Sequence, residues 1–144
     1  MTIEKLTLAD LPQAVELQKT ILPYDLTVEQ AQEHYRRIMA REDYCVLAAR
    51  EDGVLLGTVT LVCCQALADH FLVLEDFVVR PGLTGRGIGS RIMAAADQFA
   101  AEHNCAYAIL VSSGFRKDAH RFYERHGFTD DVRGFRKVYA DSPE

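Results

Sequence analysis

A chain of 144 residues, 49% hydrophobic and 26% charged, has the size and balance of one domain with a real core, read here as residues 1–144. No apolar run reaches the length of a membrane span, and a net charge of −5 argues against non-specific nucleic-acid binding. Cys45, Cys63, Cys64 and Cys105 fit no zinc spacing, and the N-terminus lacks the basic-then-apolar order of an export signal. Reduced thiols, no metal, no membrane, no nucleic acid and a cytoplasmic location are the expectation.

In chain order, Thr2–Leu6 reads as a short strand. A helix follows, entered at Asp10 with Pro12 in its first turn. Thr27-Val-Glu-Gln30 spells a capping box for a second helix running to about Arg41. Tyr44–Arg50, Val54–Cys64 and Phe71–Val79 read as strands of an antiparallel meander, with Asp52-Gly53 as the first hairpin turn. Ile88, Ile92, Ala95, Ala96 and Phe99 recur on one apolar helix face. Tyr107–Val111 is expected as a short buried strand. Ala119, Phe122, Tyr123 and His126 share one face of a last helix stopped at Gly127, and Phe135–Tyr139 is expected as a closing strand. The alternation is that of one α/β or α+β domain, with no repeat or linker.

The stretch from Gly82 to Gly89 holds four glycines in eight residues, directly after an apolar strand and before an apolar helix. The first N–H groups of a helix lack intrahelical partners, and the helix dipole adds partial positive charge there. Glycines let an anion approach that backbone without interposed Cβ atoms. Arg86 and Arg91 add charge nearby. Gly82 and Gly87 have the spacing of a Walker loop, but Ile88 and Gly89 stand where its Lys and Ser/Thr belong. A dinucleotide fingerprint needs Gly-x-Gly-x-x-Gly, whereas Gly85, Gly87 and Gly89 alternate and residue 90 is Ser. A ligand-free strand-to-helix turn would need only one or two glycines. Residues 114–139 also carry seven Lys/Arg against four Asp/Glu, either ordinary surface charge or a basic rim for a phosphorylated molecule.

Val78-Val-Arg-Pro-Gly-Leu-Thr-Gly-Arg-Gly-Ile-Gly89 resembles the acetyl-CoA-binding motif of the GNAT N-acetyltransferases, with Thr84 where Gln or Arg is usual. Ala119-His-Arg-Phe-Tyr-Glu-Arg-His-Gly-Phe128 resembles the family's second recurrent motif, in the family's order. Shorter stretches resemble aminoalkylphosphonate and aminosugar-phosphate acetyltransferases within it. The resemblance implies a mixed, mostly antiparallel central sheet flanked by about four helices. It also implies acetyl-CoA as co-substrate, a small-molecule amine as acceptor and direct acetyl transfer.

By the same resemblance, the backbone of Thr84, Gly85, Arg86, Gly87, Ile88, Gly89 and Ser90 would hold the CoA pyrophosphate. Phe77, Val78 and Val79 would pair with the pantetheine arm as an added strand does. Phe122 would line the cofactor, and Ser113 (or Ser112) would replace the family's usual Asn contact. An alkylamine with a pKa near ~10 must lose a proton before attack, so a carboxylate is needed; Glu75 is favoured, with Asp76 close behind. Adjacent strand residues point to opposite faces, so the two are not expected to face the acceptor equally. Tyr123 would protonate the leaving thiolate, the alternative being a core tyrosine. His70 is placed near the acceptor, and Arg116, Lys117 and Arg121 near a CoA phosphate or an anionic acceptor, or on a solvated helix face. Protein or peptide acetylation, or an acyl-CoA-binding module without turnover, are the rival readings. A homodimer is compatible with all of them, with no residue that carries it.

Overall fold

The computed structural model describes residues 1–21, 25–83, 85–112 and 117–140. Thr84, Ser113 and Arg116 lie outside these residues. Five strands form one sheet in chain order: β1 Thr2–Lys5, β2 Tyr44–Glu51, β3 Val54–Gln65, β4 His70–Val79 and β5 Ala108–Ile109. The first four pair antiparallel and β5 pairs parallel to β4, so the sheet is mixed and mostly antiparallel. Four α-helices accompany it among the described residues: α1 Leu11–Gln18, α2 Val28–Met39, α3 Ile88–Glu102 and α4 Lys117–Arg125.

Local chemistry explains several boundaries. The Thr27 hydroxyl accepts from the Gln30 N–H at 3.1 Å, while Gln30 Oε1 accepts from the Thr27 N–H at 2.9 Å. This reciprocal cap satisfies two donors at the start of α2. Asp52 and Gly53 both have positive φ, 52° and 78°, as a type I′ hairpin turn between twisted strands requires. Asp10 immediately precedes α1 and is buried against Arg50, with N–O contacts of 2.9 and 2.5 Å. Burial alone would raise that carboxyl, but the Arg50 and Thr7 hydrogen bonds outweigh it and hold it below the usual range.

Each face of the sheet is covered. Alternation sends Cys45 and Ala49 of β2, Val59 and Leu61 of β3, and Leu72 and Leu74 of β4 under α3, against Ile88, Ile92, Met93 and Ala96. Val46, Ala48, Leu55 and Val78 face α1 and α2, against Leu11, Val15, Leu17, Ala31 and Tyr35. Each large aliphatic side chain so buried is worth about 1.5–3 kcal/mol relative to exposure.

Two expected strands differ. Within Tyr107–Val111 the strand pairing covers Ala108 and Ile109, against Leu72 and Val73, and the Tyr107 carbonyl accepts from the Leu72 N–H at 2.9 Å. It forms a sheet edge, with Ile109 and Val111 exposed. Phe135–Tyr139 forms no strand; Phe135 and Tyr139 are 88% and 87% exposed. Arg136 and Lys137 stand side by side in that run, so neither face of a strand there would be continuously apolar.

Candidate active site

The site begins with an irregularity in β4. Thr58 pairs with Val78 and Thr60 with Glu75, so Asp76 and Phe77 together oppose Val59. This is a β-bulge, with Asp76 at φ 55°. The extra residue reverses the alternation of the strand. Leu72 and Leu74 lie on the α3 side before it, and Phe77 and Val79 on the same side after it. Glu75 and Asp76 are therefore both turned toward the α1/α2 side, correcting the expectation of opposite faces. The Gln18 side chain at the end of α1 secures the bulge, its Nε2 donating to the Asp76 carbonyl at 3.1 Å.

Beyond Val73 no described strand pairs with the outer edge of β4, which leaves a gap in the sheet there. α4 closes the gap through aromatic contacts. The Phe77 ring lies 5.7 Å from Phe122 and 6.1 Å from Tyr123, and Tyr123 lies 6.0 Å from Phe128. The cleft has two compartments. One, of roughly 530 Å³, is lined by Val78, Val79, Gly89, Asp118 and Phe122. The other, of roughly 470 Å³, is lined by Gln18, Glu75, Asp76, Ser112 and Arg136. Ile21, Phe77 and the buried Tyr123 line both, which places the tyrosine at the junction.

The glycine loop borders the first compartment. Gly87 is the N-cap of α3 with φ 74°, in the left-handed region, and no side chain caps the helix there. The N–H groups of Ile88, Gly89 and Ser90 thus have no intrahelical acceptor. A Cβ on Gly89 would lie 3.1 Å from two ring carbons of Phe122, so α3 meets α4 closely enough that even a methyl group would displace that ring. The loop has the exposed donors and the bare backbone that a pyrophosphate needs. The Ile88 side chain is buried beneath α3, leaving only its backbone to the cleft. Arg86 is turned away to Glu51 at 2.6 Å, and Arg91 Nη1 donates to the Met1 carbonyl at 3.3 Å. Both arginines are thereby drawn to partners outside the loop. The Ser90 hydroxyl is 3.0 Å from His126 Nε2, a link between α3 and α4 that sequence patterning missed.

The second compartment carries the carboxylates. Both keep access to solvent through the open cleft, while surrounding protein removes part of their hydration. Burial first, and the Asp76 charge second, push the Glu75 carboxyl above its ordinary range. Burial also raises Asp76, partly offset by a hydrogen bond from the Thr60 hydroxyl. A carboxylate with a raised pKa is a stronger base. The Ser112 hydroxyl is buried without a hydrogen-bond partner among the described residues, so an amide arm in the cleft would meet an unsatisfied polar group.

The remaining candidates fall elsewhere. His70 is the exposed first residue of β4 and lines neither compartment. Lys117 is exposed, and Arg121 is an exposed residue of α4 that pairs with Asp118. Gln18 and Arg136 belong to the site but carried no local signal. Gln18 ends an ordinary helix, and Arg136 lies in the run expected as a strand.

The sequence profile of the Acetyltransferase (GNAT) family matches residues 11–128. The aminoalkylphosphonate N-acetyltransferase of Salmonella typhimurium is 34% identical over 65 residues, 45% of this chain and 42% of that protein. The matched segments span less than two thirds of the curated relatives' length. Among solved structures, a putative acetyltransferase from Agrobacterium tumefaciens superposes with a TM-score of 0.87 at 26% identity, covering 96% of this chain and 100% of that one. The enzyme AAC(6')-Iy, in complex with a bisubstrate analog of CoA and acetylneamine, superposes at 0.77 with 19% identity over 96% and 98% of the two chains, a likeness of fold. The bulged β4, the glycine loop capping α3 and the Phe-Tyr pair of α4 all lie within the matched span, and the chain belongs to the GNAT family of acetyltransferases.

Proposed function

We propose that the chain transfers an acetyl group directly from acetyl-CoA to the primary amine of a small molecule. The observation that carries this reading is the junction at Tyr123. One side chain borders both the compartment under the glycine loop and the compartment holding Glu75 and Asp76.

Acetyl-CoA supplies an activated acetyl thioester. Backbone N–H groups from Gly85 to Ser90 hold its pyrophosphate, and the free edge of β4 at Phe77, Val78 and Val79 pairs with the pantetheine arm. Phe122 fills the space beside Gly89 and walls that arm. Ser112 offers its unsatisfied hydroxyl to the arm. Glu75, with Asp76 next to it, takes a proton from the incoming ammonium, directly or through water, so that the neutral nitrogen can attack. Asp76 also adds negative charge that favours a cation in this compartment. The Tyr123 hydroxyl donates a proton to the departing sulfur. Positioning of two reactants in one cleft supplies much of the rate, with backbone donors polarising the thioester carbonyl. The name of the Salmonella relative, an acetyltransferase of aminoalkylphosphonates, supports a small amine as acceptor.

A thiol-release assay with acetyl-CoA tests the reading against amines, aminophosphonates, aminosugars, polyamines and peptides. Turnover with at least one small amine is expected. Turnover on peptides alone would replace it with protein acetylation. Binding of acetyl-CoA with no thiol release on any acceptor would replace it with a binding module.

A further inference from the structure

Two cysteines far apart in the chain meet at the end of the sheet away from the cleft. The sulfurs of Cys63 and Cys105 lie 3.6 Å apart, although 42 residues separate them in sequence. Both thiols are free and partly exposed, whereas Cys45 is buried. Cys63 follows Val59 and Leu61 at every second position of β3, which puts it on the face under α3. Cys105 packs against that same cluster, and its N–H donates to the Ala100 carbonyl at 2.9 Å, just beyond the C-terminal end of α3. Cys64, the next residue of β3, falls on the opposite face. Cys105 also opens the turn that delivers β5. The N–H of Ala106 donates to the His70 carbonyl at 2.9 Å, and β5 then pairs with β4 through Ala108 and Ile109.

We propose that Cys63 and Cys105 are a modification site, forming a reversible disulfide with a disulfide oxidant such as oxidised glutathione, and that the bond locks the edge strand β5 to the sheet. Burial first, and the Cys63 contact second, push the Cys105 thiol up to about 11, so it keeps its proton near neutral pH. The first attack therefore falls to Cys63. Its thiolate attacks one sulfur of oxidised glutathione and expels one glutathione thiolate. Cys105 then gives its proton to solvent, attacks the Cys63 sulfur of the mixed disulfide and expels the second glutathione. Two protein thiols are oxidised and one glutathione disulfide is reduced to two thiols. The new bond closes a long loop of chain, which restricts the unfolded state. The cleft borders the N-terminal end of α3 and the thiols its C-terminal end. The fifteen residues of that helix put roughly 20 Å between them at about 1.5 Å per residue. The lock thus leaves the cleft untouched, and the inference stands apart from the acetyltransferase reading.

The test treats reduced protein with oxidised glutathione at mildly alkaline pH. The intact mass is expected to fall by two hydrogens, and a non-reducing digest to hold a cross-linked peptide pair containing Cys63 and Cys105. The melting temperature is expected to rise by about 5 °C or more. Dithiothreitol is expected to reverse all three changes. Cys63→Ser and Cys105→Ser should each abolish the cross-link and the rise, and Cys64→Ser should keep both. If either serine variant fails to fold, the peptide map of the wild-type chain decides the pairing. An unchanged mass, a glutathione adduct that never resolves, a cross-link through Cys64, or a cross-link without a rise in melting temperature overturns the inference. Where turnover of acetyl-CoA is found, its kcat/KM is expected to stay within about twofold on oxidation, and a larger loss overturns the separation of lock from cleft.

Discussion

Replacing Gly89 by alanine separates the cofactor cradle from the stability of the fold. The added methyl would sit 3.1 Å from Cε1 and Cζ of Phe122 and 3.7 Å from Cγ2 of Val79. Carbon atoms prefer separations of about 3.5–4.0 Å, so the Phe122 ring must yield by a few tenths of an ångström. That ring lies 4.5 Å from His126 and 5.6 Å from Tyr123, so the displacement spreads into α4. Overpacking of this kind costs about 1–3 kcal/mol. Alanine in place of a helical glycine returns about 1 kcal/mol. The net loss is then about 0–2 kcal/mol, and at roughly 2–4 °C per kcal/mol the melting temperature falls by less than about 8 °C. The effect on cofactor is larger in proportion, because the methyl intrudes where the loop backbone must meet the ligand. Calorimetric titration with acetyl-CoA, beside a thermal melt, is expected to show affinity reduced about tenfold or more in a folded variant, equivalent to about 1.4 kcal/mol. Affinity within about twofold of wild type would refute the placement of acetyl-CoA against Gly89.

Tyr123→Phe keeps the aromatic packing with Phe77 and Phe128 and is expected to lower kcat by about tenfold to 10⁴-fold in steady-state assays; an unchanged kcat removes the hydroxyl from the chemistry. Glu75→Gln is expected to abolish the rise of kcat/KM with pH that titration of a raised carboxyl produces, and a surviving rise would shift the base to Asp76. The same variant tests linkage. A carboxyl raised by folding binds its proton more tightly in the native state, so ionised Glu75 costs stability once pH exceeds its unfolded value, and fully so above its folded value. The variant should therefore melt higher than wild type near neutral pH, with the difference shrinking in acid; a lower melting temperature near neutrality would contradict this. Gln18→Leu removes the donor to the bulge carbonyl and should cost about 1–3 kcal/mol in denaturant unfolding together with a drop in kcat; wild-type values for both would show that the bulge holds without it.

Features encoded by neighbours in sequence were legible in advance. The α2 capping box, the Asp52-Gly53 turn and the apolar face of α3 each depend on residues within a turn or two of one another, and each formed as read. The glycine loop was legible for the same reason. The bulge was not. Phe71–Leu74 and Phe77–Val79 are apolar at every position, which hides the change of phase between Leu74 and Phe77 that only pairing with β3 exposes. That change turned two carboxylates thought to diverge into neighbours on one face. The closing strand was misread because apolar content at Phe135, Val138 and Tyr139 outweighed the paired charges between them. The same error hid Arg136, whose position depends on the path of a coil. Gln18 and the Ser90–His126 link connect residues far apart in sequence, where no local pattern exists.

Direct transfer is tested most directly by quantifying, in one reaction, the free CoA thiol and the N-acetylated amine, with intact mass of the protein measured alongside. Equal amounts of thiol and acetylated amine, with no acetyl group left on the protein, are expected. Thiol released without acetylated amine, or an acetylated protein that passes its group to the amine, would contradict a transfer carried out in the cleft by Glu75 and Tyr123.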